Sequence, residues 1–405
     1  SGAISASSTS NGHVIQAWTG TYREQIVINK QITLVGNGTS KTFVNGSGLP
    51  DMGIGNSLIS VSSENVDIKN LSVVSSAGNG IRVDTDDCDI ENLFVAYNSN
   101  AGVFAGASFI KIIDSTFKEN SQRGIELQHS SEISVINNTI IGGPENTRGI
   151  NAYNSDDVTV RDNTISSNVI GILLTGSDDA EIYRNLLHNN TNEGIVLDGG
   201  SSGAKIHNNT IEYNSIYGIR IDGAESSLIS DNMVKSNSKG FKIIASDDII
   251  FLSNTFLSND GGLSEILPWG GDSGSNLLEN NTFDDTELSI EGSNQTLIGN
   301  VITNSPGYGI KLNSEYCDNN VFYHNVITNS NDEDIFVGGS GNQINNIGYN
   351  NTFSTIEVES NGEFIILDYV NVKTVNATGD KSGIDLRSYY NSSSYYSSAY
   401  FGGTD

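Results

Sequence analysis

Apolar residues along this chain recur in short alternating runs rather than at helical spacing. Runs such as Ile81-Arg82-Val83-Asp84 and Ile219-Arg220-Ile221-Asp222 place an apolar side chain on every second residue, the period of a half-buried strand. A Gly followed by a branched or aromatic residue punctuates these runs: Gly80-Ile81, Gly102-Val103, Gly124-Ile125, Gly149-Ile150, Gly171-Ile172, Gly194-Ile195, Gly218-Ile219, Gly240-Phe241 and Gly309-Ile310. The spacing is 22 to 25 residues as far as Gly240. The gap from Gly240 to Gly309 is about three periods, and Glu287-Leu288-Ser289-Ile290 is expected to fill one missing anchor.

A second series, Asn-x-apolar, runs in phase with the first. Its asparagines are Asn138, Asn163, Asn185, Asn209, Asn232, Asn254, Asn281, Asn300, Asn325 and Asn351. Five residues after several of them comes another Asn: Asn168, Asn190, Asn214, Asn237 and Asn259. A fixed period of this length, rich in β-branched residues, implies an all-β solenoid of about 12–14 coils. Each coil holds two or three short strands, paired in parallel with the next coil. An Asn at a bend between strands tolerates the left-handed conformation. With its amide turned inward it can bond the same residue one coil away, so the series predicts a buried structural ladder. Leu71, Leu93 and Ser115 hold the equivalent slot in the first coils, so that end should pack differently.

The Gly-Ile and Asn-x-Ile repeats resemble the right-handed parallel β-helix repeat proteins related to pectate lyases. The opening stretch, Gly20-Thr21-Tyr22-Arg23-Glu24-Gln25-Ile26-Val27-Ile28 followed by Ile32-Thr33-Leu34-Val35-Gly36, is similar to the first coil of pectin esterases and of the periplasmic NosD-like β-helix family. The resemblance covers roughly residues 12 to 365. It implies the fold; function rests on sites that the repeat carries.

The expected organisation is one β-helix over residues 1–367, with an N-terminal cap over about 1–30, and a C-terminal cap or tail over 368–405. Two stretches break the rhythm as loops: Gly46 to Ser57, and Asp260 to Asn276 with Leu267-Pro268-Trp269-Gly270-Gly271-Asp272. The Tyr- and Ser-rich tail places Tyr389, Tyr390, Tyr395, Tyr396, Tyr400 and Phe401 where they are expected to cap the last coil or meet a neighbouring molecule.

Charge narrows the partners. The chain has 48 acidic and 20 basic residues, net −28, so nucleic acid, which needs a basic footprint, is excluded. No apolar stretch approaches the roughly 18 residues of a membrane span. A processed export signal would leave a small, polar start such as Ser1-Gly2-Ala3, so a secreted or cell-surface location is expected. Cys88 and Cys317 lie about ten coils apart, too far for a disulfide, and are expected to be free and buried.

The β-helix hydrolases, lyases and esterases that the repeats resemble carry carboxylates, a basic residue and often calcium on one sheet face. Positions two and four residues after each Gly should face outward and stack: Arg82/Asp84, Glu126/Gln128, Asn151/Tyr153, Leu173/Thr175, Val196/Asp198, Arg220/Asp222 and Lys242. Asp198, Arg220, Asp222 and Lys242 form the candidate catalytic set. Two carboxylates and two cations on adjacent coils suit proton abstraction beside a uronate carboxylate, although opposite charges on exposed strands also pair across strands for structural reasons. A second set, Asp86, Asp87, Asp156, Asp157, Asp178, Asp179, Asp247 and Asp248, recurs at a turn and suits calcium through oxygen ligands; Asp is also simply a good turn residue. His13, His129, His188, His207 and His324 share no metal-ligand spacing, so the residues give no support to a copper role. No cofactor is required beyond the possible calcium.

Eleven Asn-x-Ser/Thr sequons occur, at Asn37, Asn45, Asn70, Asn137, Asn189, Asn208, Asn280, Asn294, Asn350, Asn376 and Asn391, which fits an exported glycoprotein. The leading reading is an extracellular structural or adhesive protein, such as a sheath, surface-layer or filament subunit that self-associates. The alternatives are a polysaccharide lyase, hydrolase or epimerase acting on an acidic glycan, and a non-catalytic glycan-binding adhesin.

Overall fold

The computed structural model describes residues 1–50, 56–143, 147–259, 263–267, 274–339, 343–359, 362–367 and 374–376. It divides into two compact units, residues 1–210 and 211–405. Each unit is a parallel β-solenoid whose coils contribute strands to three sheets, the last described coils to the first and third alone.

In the first unit the alternating pattern sets which side chains meet inside. On the first sheet Ile90, Ile112, Val135, Val160, Ile182 and Ile206 stand in register, coil on coil. On the third sheet Val103, Ile125, Ile150, Ile172 and Ile195 do the same. All are fully buried. A four-residue helix, Gly2–Ser5, lies at the start, with Ile4 buried.

The core of the second unit is aromatic. Phe241 lies 4.6 Å from Phe251 and 5.2 Å from Phe256, and Phe256 stacks on Phe283 at 4.9 Å. Glu287–Ile290 is a strand of the third sheet, as the repeat predicted. The expected loop from Asp260 to Asn276 contains another: Leu263–Leu267 pairs with both neighbouring coils. Sequence reading missed this strand although Gly262-Leu263 follows Gly240-Phe241 at the period of the repeat; Ser264 pairs with Leu288 and so takes the place of the apolar residue, its Oγ 2.7 Å from where a Cβ on Gly240 would lie. Residues 51–55, 260–262 and 268–273 of the two expected loops fall outside the described residues, as do Tyr389, Tyr390, Tyr395, Tyr396, Tyr400 and Phe401.

The repeated Gly is required by space, not by dihedral freedom. A Cβ on Gly149 would lie 2.5 Å from the carbonyl oxygen of Gly171, and one on Gly171 would lie 2.5 Å from that of Gly194. The glycines stack, and each leaves room for the backbone of the next coil.

The asparagine ladder forms within each unit. Asn138 Nδ2 donates to Asn163 Oδ1 at 3.1 Å, Asn163 to Asn185 at 3.0 Å and Asn185 to Asn209 at 3.0 Å. In the second unit the chain of donors runs from Asn232 through Asn254, Asn281, Asn300 and Asn325 to Asn351. Leu71, Leu93 and Ser115 are buried in the corresponding slots. The later asparagines form a second ladder, as in Asn214–Asn237 at 2.9 Å and Asn237–Asn259 at 3.2 Å. One detail of the expectation is corrected. The left-handed residue is not the ladder Asn but the one before it: Asn137, Asp162, Arg184, Asn208, Asp231, Ser253, Asn280 and Asn350 all have φ between 49° and 59°. One residue turns the chain and the next turns its amide inward, because a single residue cannot do both.

Candidate functional site

The third sheet carries the chemistry. In the first unit its outward side chains form three columns. Arg123 and Arg148 are register partners in the first; Glu126, Asn151, Leu173 and Val196 make the second; Gln128, Tyr153, Thr175 and Asp198 make the third. The expected stacking holds within this unit, but Glu126, Asn151, Leu173 and Val196 are buried.

Glu126 is 2% exposed, and its carboxylate is held from three sides. Arg123 forms an ion pair with it, Gln128 Nε2 donates to Oε1 at 2.7 Å, and Asn151 Nδ2 donates to Oε1 at 3.1 Å. Arg148 Nη1 donates to Asn151 Oδ1 at 3.3 Å. Burial pushes the Glu126 carboxyl above the ordinary glutamate value, with Arg123 pulling the other way. Burial, then the charge of Arg123, lowers Arg148.

Two clefts meet at these arginines. One of about 390 Å³ is lined by Arg123, Glu126, Arg148, Asn151, Tyr153 and Asp198, among others. The other, of about 600 Å³, is lined by Ser99, Ser121, Gln122, Arg123, Arg148 and Ile170, among others. Sequence reading passed over both arginines because they precede Gly124 and Gly149, outside the positions inspected. The register is the same on both sides of each Gly, so Arg123 and Arg148 stack in one column, and their place one residue before the Gly was the available signal.

Of the expected catalytic set, Arg220, Asp222 and Lys242 lie in the second unit, where Arg220 and Lys242 are register partners. Asp198 belongs to the first unit, in the cleft with Arg148. In the second unit Arg220 pairs with Asp222 at 3.0 Å. Lys242 meets Glu265 at 3.5 Å, and Lys239 meets it at 2.6 Å. The carboxylate for Lys242 lies on the strand that the sequence hid. Tyr217 Oη donates to Glu265 at 3.4 Å, and both lysine ammoniums lie within 5.6 Å of its ring centre. Burial, then the charge of Glu265, raises Glu291.

The turn aspartates have structural partners. Asp86, Asp156 and Asp178 accept backbone N–H bonds from Ser108, Asp178 and Ser202 on the next coil, at 2.7 to 2.9 Å. Asp87, Asp157, Asp179 and Asp248 take the left-handed turn conformation, and Asp247 precedes the last of these. Among the described residues no three His, Cys, Asp or Glu side chains are grouped to hold a metal ion.

Of the sequon asparagines, Asn37, Asn137, Asn189, Asn208, Asn280, Asn294 and Asn350 are exposed, and Asn45 and Asn70 are half-buried. Asn376 ends a short strand, and Asn391 lies outside the described residues. Cys88 and Cys317 are free and buried; burial pushes their thiols up to about 11 and about 12. No described helix is long and apolar enough to cross a membrane.

The family described as a right handed beta helix region matches residues 56–211 and 103–256. No curated protein matches the chain. Solved structures of similar fold include pre-mature gene product 12 of bacteriophage phi29 (TM-score 0.58, 10% identity, covering 89% of this chain and 62% of that one). The catalytic unit of a thermostable GH87 α-1,3-glucanase from Streptomyces thermodiastaticus aligns with TM-score 0.51 and 14% identity, over 92% and 65% of the two chains. The A-module of the mannuronan C-5 epimerase AlgE4 from Azotobacter vinelandii aligns with TM-score 0.47 and 15% identity, over 91% of each. Identities this low speak to fold alone. The matched repeats and the three-sheet parallel coils, a fold shared with the phage protein and the glucanase, place the chain among the right-handed parallel β-helix repeat proteins.

Proposed function

We propose that this chain is an extracellular, adhesive β-helix protein that binds an acidic glycan along the third sheet of its first unit. One observation carries the reading: Arg123 and Arg148 stand in register between two clefts, in a chain of net charge −28. Guanidinium groups suit planar, bidentate recognition of carboxylates. Glu126 neutralises Arg123, whereas Arg148 is bonded to the neutral amide of Asn151. Arg148 is thus the group for an incoming anion, with Tyr153 beside it as an amphipathic contact.

Titration with uronate oligosaccharides and with neutral oligosaccharides of matched length tests this. The titration is run with and without calcium, because the overall charge opposes a polyanion unless a cation bridges the two. The expected result is saturable, salt-sensitive binding of the acidic series, weakened about 10- to 100-fold in Arg148→Gln, from the roughly 1.5–3 kcal/mol of a charged hydrogen bond. Equal binding by the variant, or binding of neither series, overturns the reading.

A second reading, turnover of the glycan by lyase, hydrolase or epimerase chemistry, is favoured by the cluster in the second unit. There Glu265 sits between Lys239 and Lys242, and Glu291 is biased towards its protonated form. A carboxyl raised in this way beside a carboxylate held by two lysines suits acid–base work. Product release that disappears in Glu291→Gln would favour it; its absence would leave binding alone.

A further inference from the structure

The outward face of the first sheet changes character between the units. In the first unit it carries Asp89, Glu91, Lys111, Arg161, Glu181 and Lys205 at register-paired positions. In the second unit one column runs Leu228, Ile250, Leu277, Thr296, Val321 and Ile347, and the next Ser230, Leu252, Glu279, Ile298, Tyr323 and Tyr349. Among the described residues of these two columns from Leu228 to Tyr349, Glu279 is the one charged side chain. Ile250 and Tyr323 are 37% and 39% exposed. On the second sheet one outward column runs Met233, Thr255, Thr282, Val301 and Val326, with Met233, Val301 and Val326 each 37% exposed. A contiguous apolar patch on the outside of a sheet marks a contact surface.

We infer that this face pairs with the same face of a second copy of the chain, as two sheets packed across a twofold axis. Two features select a copy as the occupant. The side chains stand in rows that repeat at the coil rise of about 4.8 Å, and a surface with the same row spacing interdigitates with them; the face of a second copy has that spacing. At net charge −28, two copies repel wherever charged faces meet, and this face carries almost no charge. An isologous contact of this kind closes at a dimer. Five to six coils give a stripe of roughly 25–30 Å, at the small end of stable interfaces, so the dimer forms reversibly with concentration.

The test is sedimentation equilibrium of the 405-residue chain from about 1 to about 500 µM, a range that spans weak association. The expected mass rises from the 43.2 kDa monomer towards twice that value. Ile250→Asp and Val321→Lys, both outward substitutions, should each hold the chain at the monomer mass with an unchanged circular dichroism spectrum. Thr159→Lys, on the charged face of the first unit, should dimerise like the parent chain. A parent chain that stays monomeric, or face variants that dimerise normally, overturns the inference. So does a chain that dimerises only after residues 377–405 are removed, since that result assigns the face to the tail.

Discussion

Asn185 Oδ1 accepts two bonds from Asn163, one from its side-chain amide and one from its backbone N–H, both at 3.0 Å. Asn185 then repeats the pattern, donating Nδ2 to Asn209 Oδ1 at 3.0 Å and to Val160 O at 2.8 Å. Each residue completes the one before it and depends on the one after.

Asn185→Leu keeps the branched shape but takes the acceptor from the backbone N–H of Asn163, whose Nδ2 keeps Val135 O and Arg161 O, and leaves Val160 O without this amide. The expected cost is about 2–4 kcal/mol, since buried unsatisfied groups cost about 1–3 kcal/mol each. Chemical denaturation measures it. Ser115→Leu should cost less, because its lower neighbour is Leu93, which donates only one bond, from its backbone N–H, to Ser115 Oγ.

Gly149→Ala places a methyl 2.5 Å from Gly171 O and 2.6 Å from Ile165 Cγ2. Neither the carbonyl nor the packed isoleucine can yield without shifting its coil, so a loss of about 1–3 kcal/mol is expected, the range for overpacked cores. The thermal midpoint reports it. Substitution of the exposed Gly200, which has open space but φ +83°, should cost less.

Glu126 gives a pH signature. Its folded-state proton affinity is raised by burial, so its contribution to stability is fully present below the unfolded glutamate value. That contribution is lost as pH rises through the raised folded value. Glu126→Gln should flatten this segment of the stability–pH curve. Because it also releases Arg123 from its counter-charge, it should tighten acidic-glycan binding several-fold, the opposite sign to Arg148→Gln. A Glu126→Gln variant that binds more weakly would show that the carboxylate itself meets the ligand.

Arg184 clasps Asp162 with two bonds, at 2.7 and 2.9 Å, and Arg161 adds a third at 2.6 Å. The hydrogen bond from Arg184 leads in holding the Asp162 carboxyl down at about 2. Carboxyl NMR titration should find that midpoint, and Arg184→Gln should return it towards the ordinary aspartate range. The pair's stabilising effect is present above the unfolded aspartate value and fades as pH falls through about 2. It is small because both groups face water.

The repeat itself was legible in the sequence. Its 22-to-25-residue period, its Gly-apolar pairs and its Asn-x-apolar series express local rules: strand alternation, space for a crossing backbone, and an amide that needs a partner one coil away. The same rules located Glu287–Ile290 before any coordinates. They also apply to Gly262-Leu263, at the period of the repeat, but Leu263–Leu267 was missed because Ser264 stands where the repeat has an apolar residue such as Leu288. The site was legible only in part. The outward columns of Glu126 and Asn151 could be read from spacing, yet the arginines that define the clefts sit one step before each Gly. Lys242 was found without Glu265, its partner. Sequence spacing fixes which residues face out and which stack. It does not fix which carboxylate an arginine or lysine reaches, because that choice depends on coil-to-coil register, on burial and on which neighbours have already taken the charge. Those are properties of the folded coils, and the tertiary structure alone settled them.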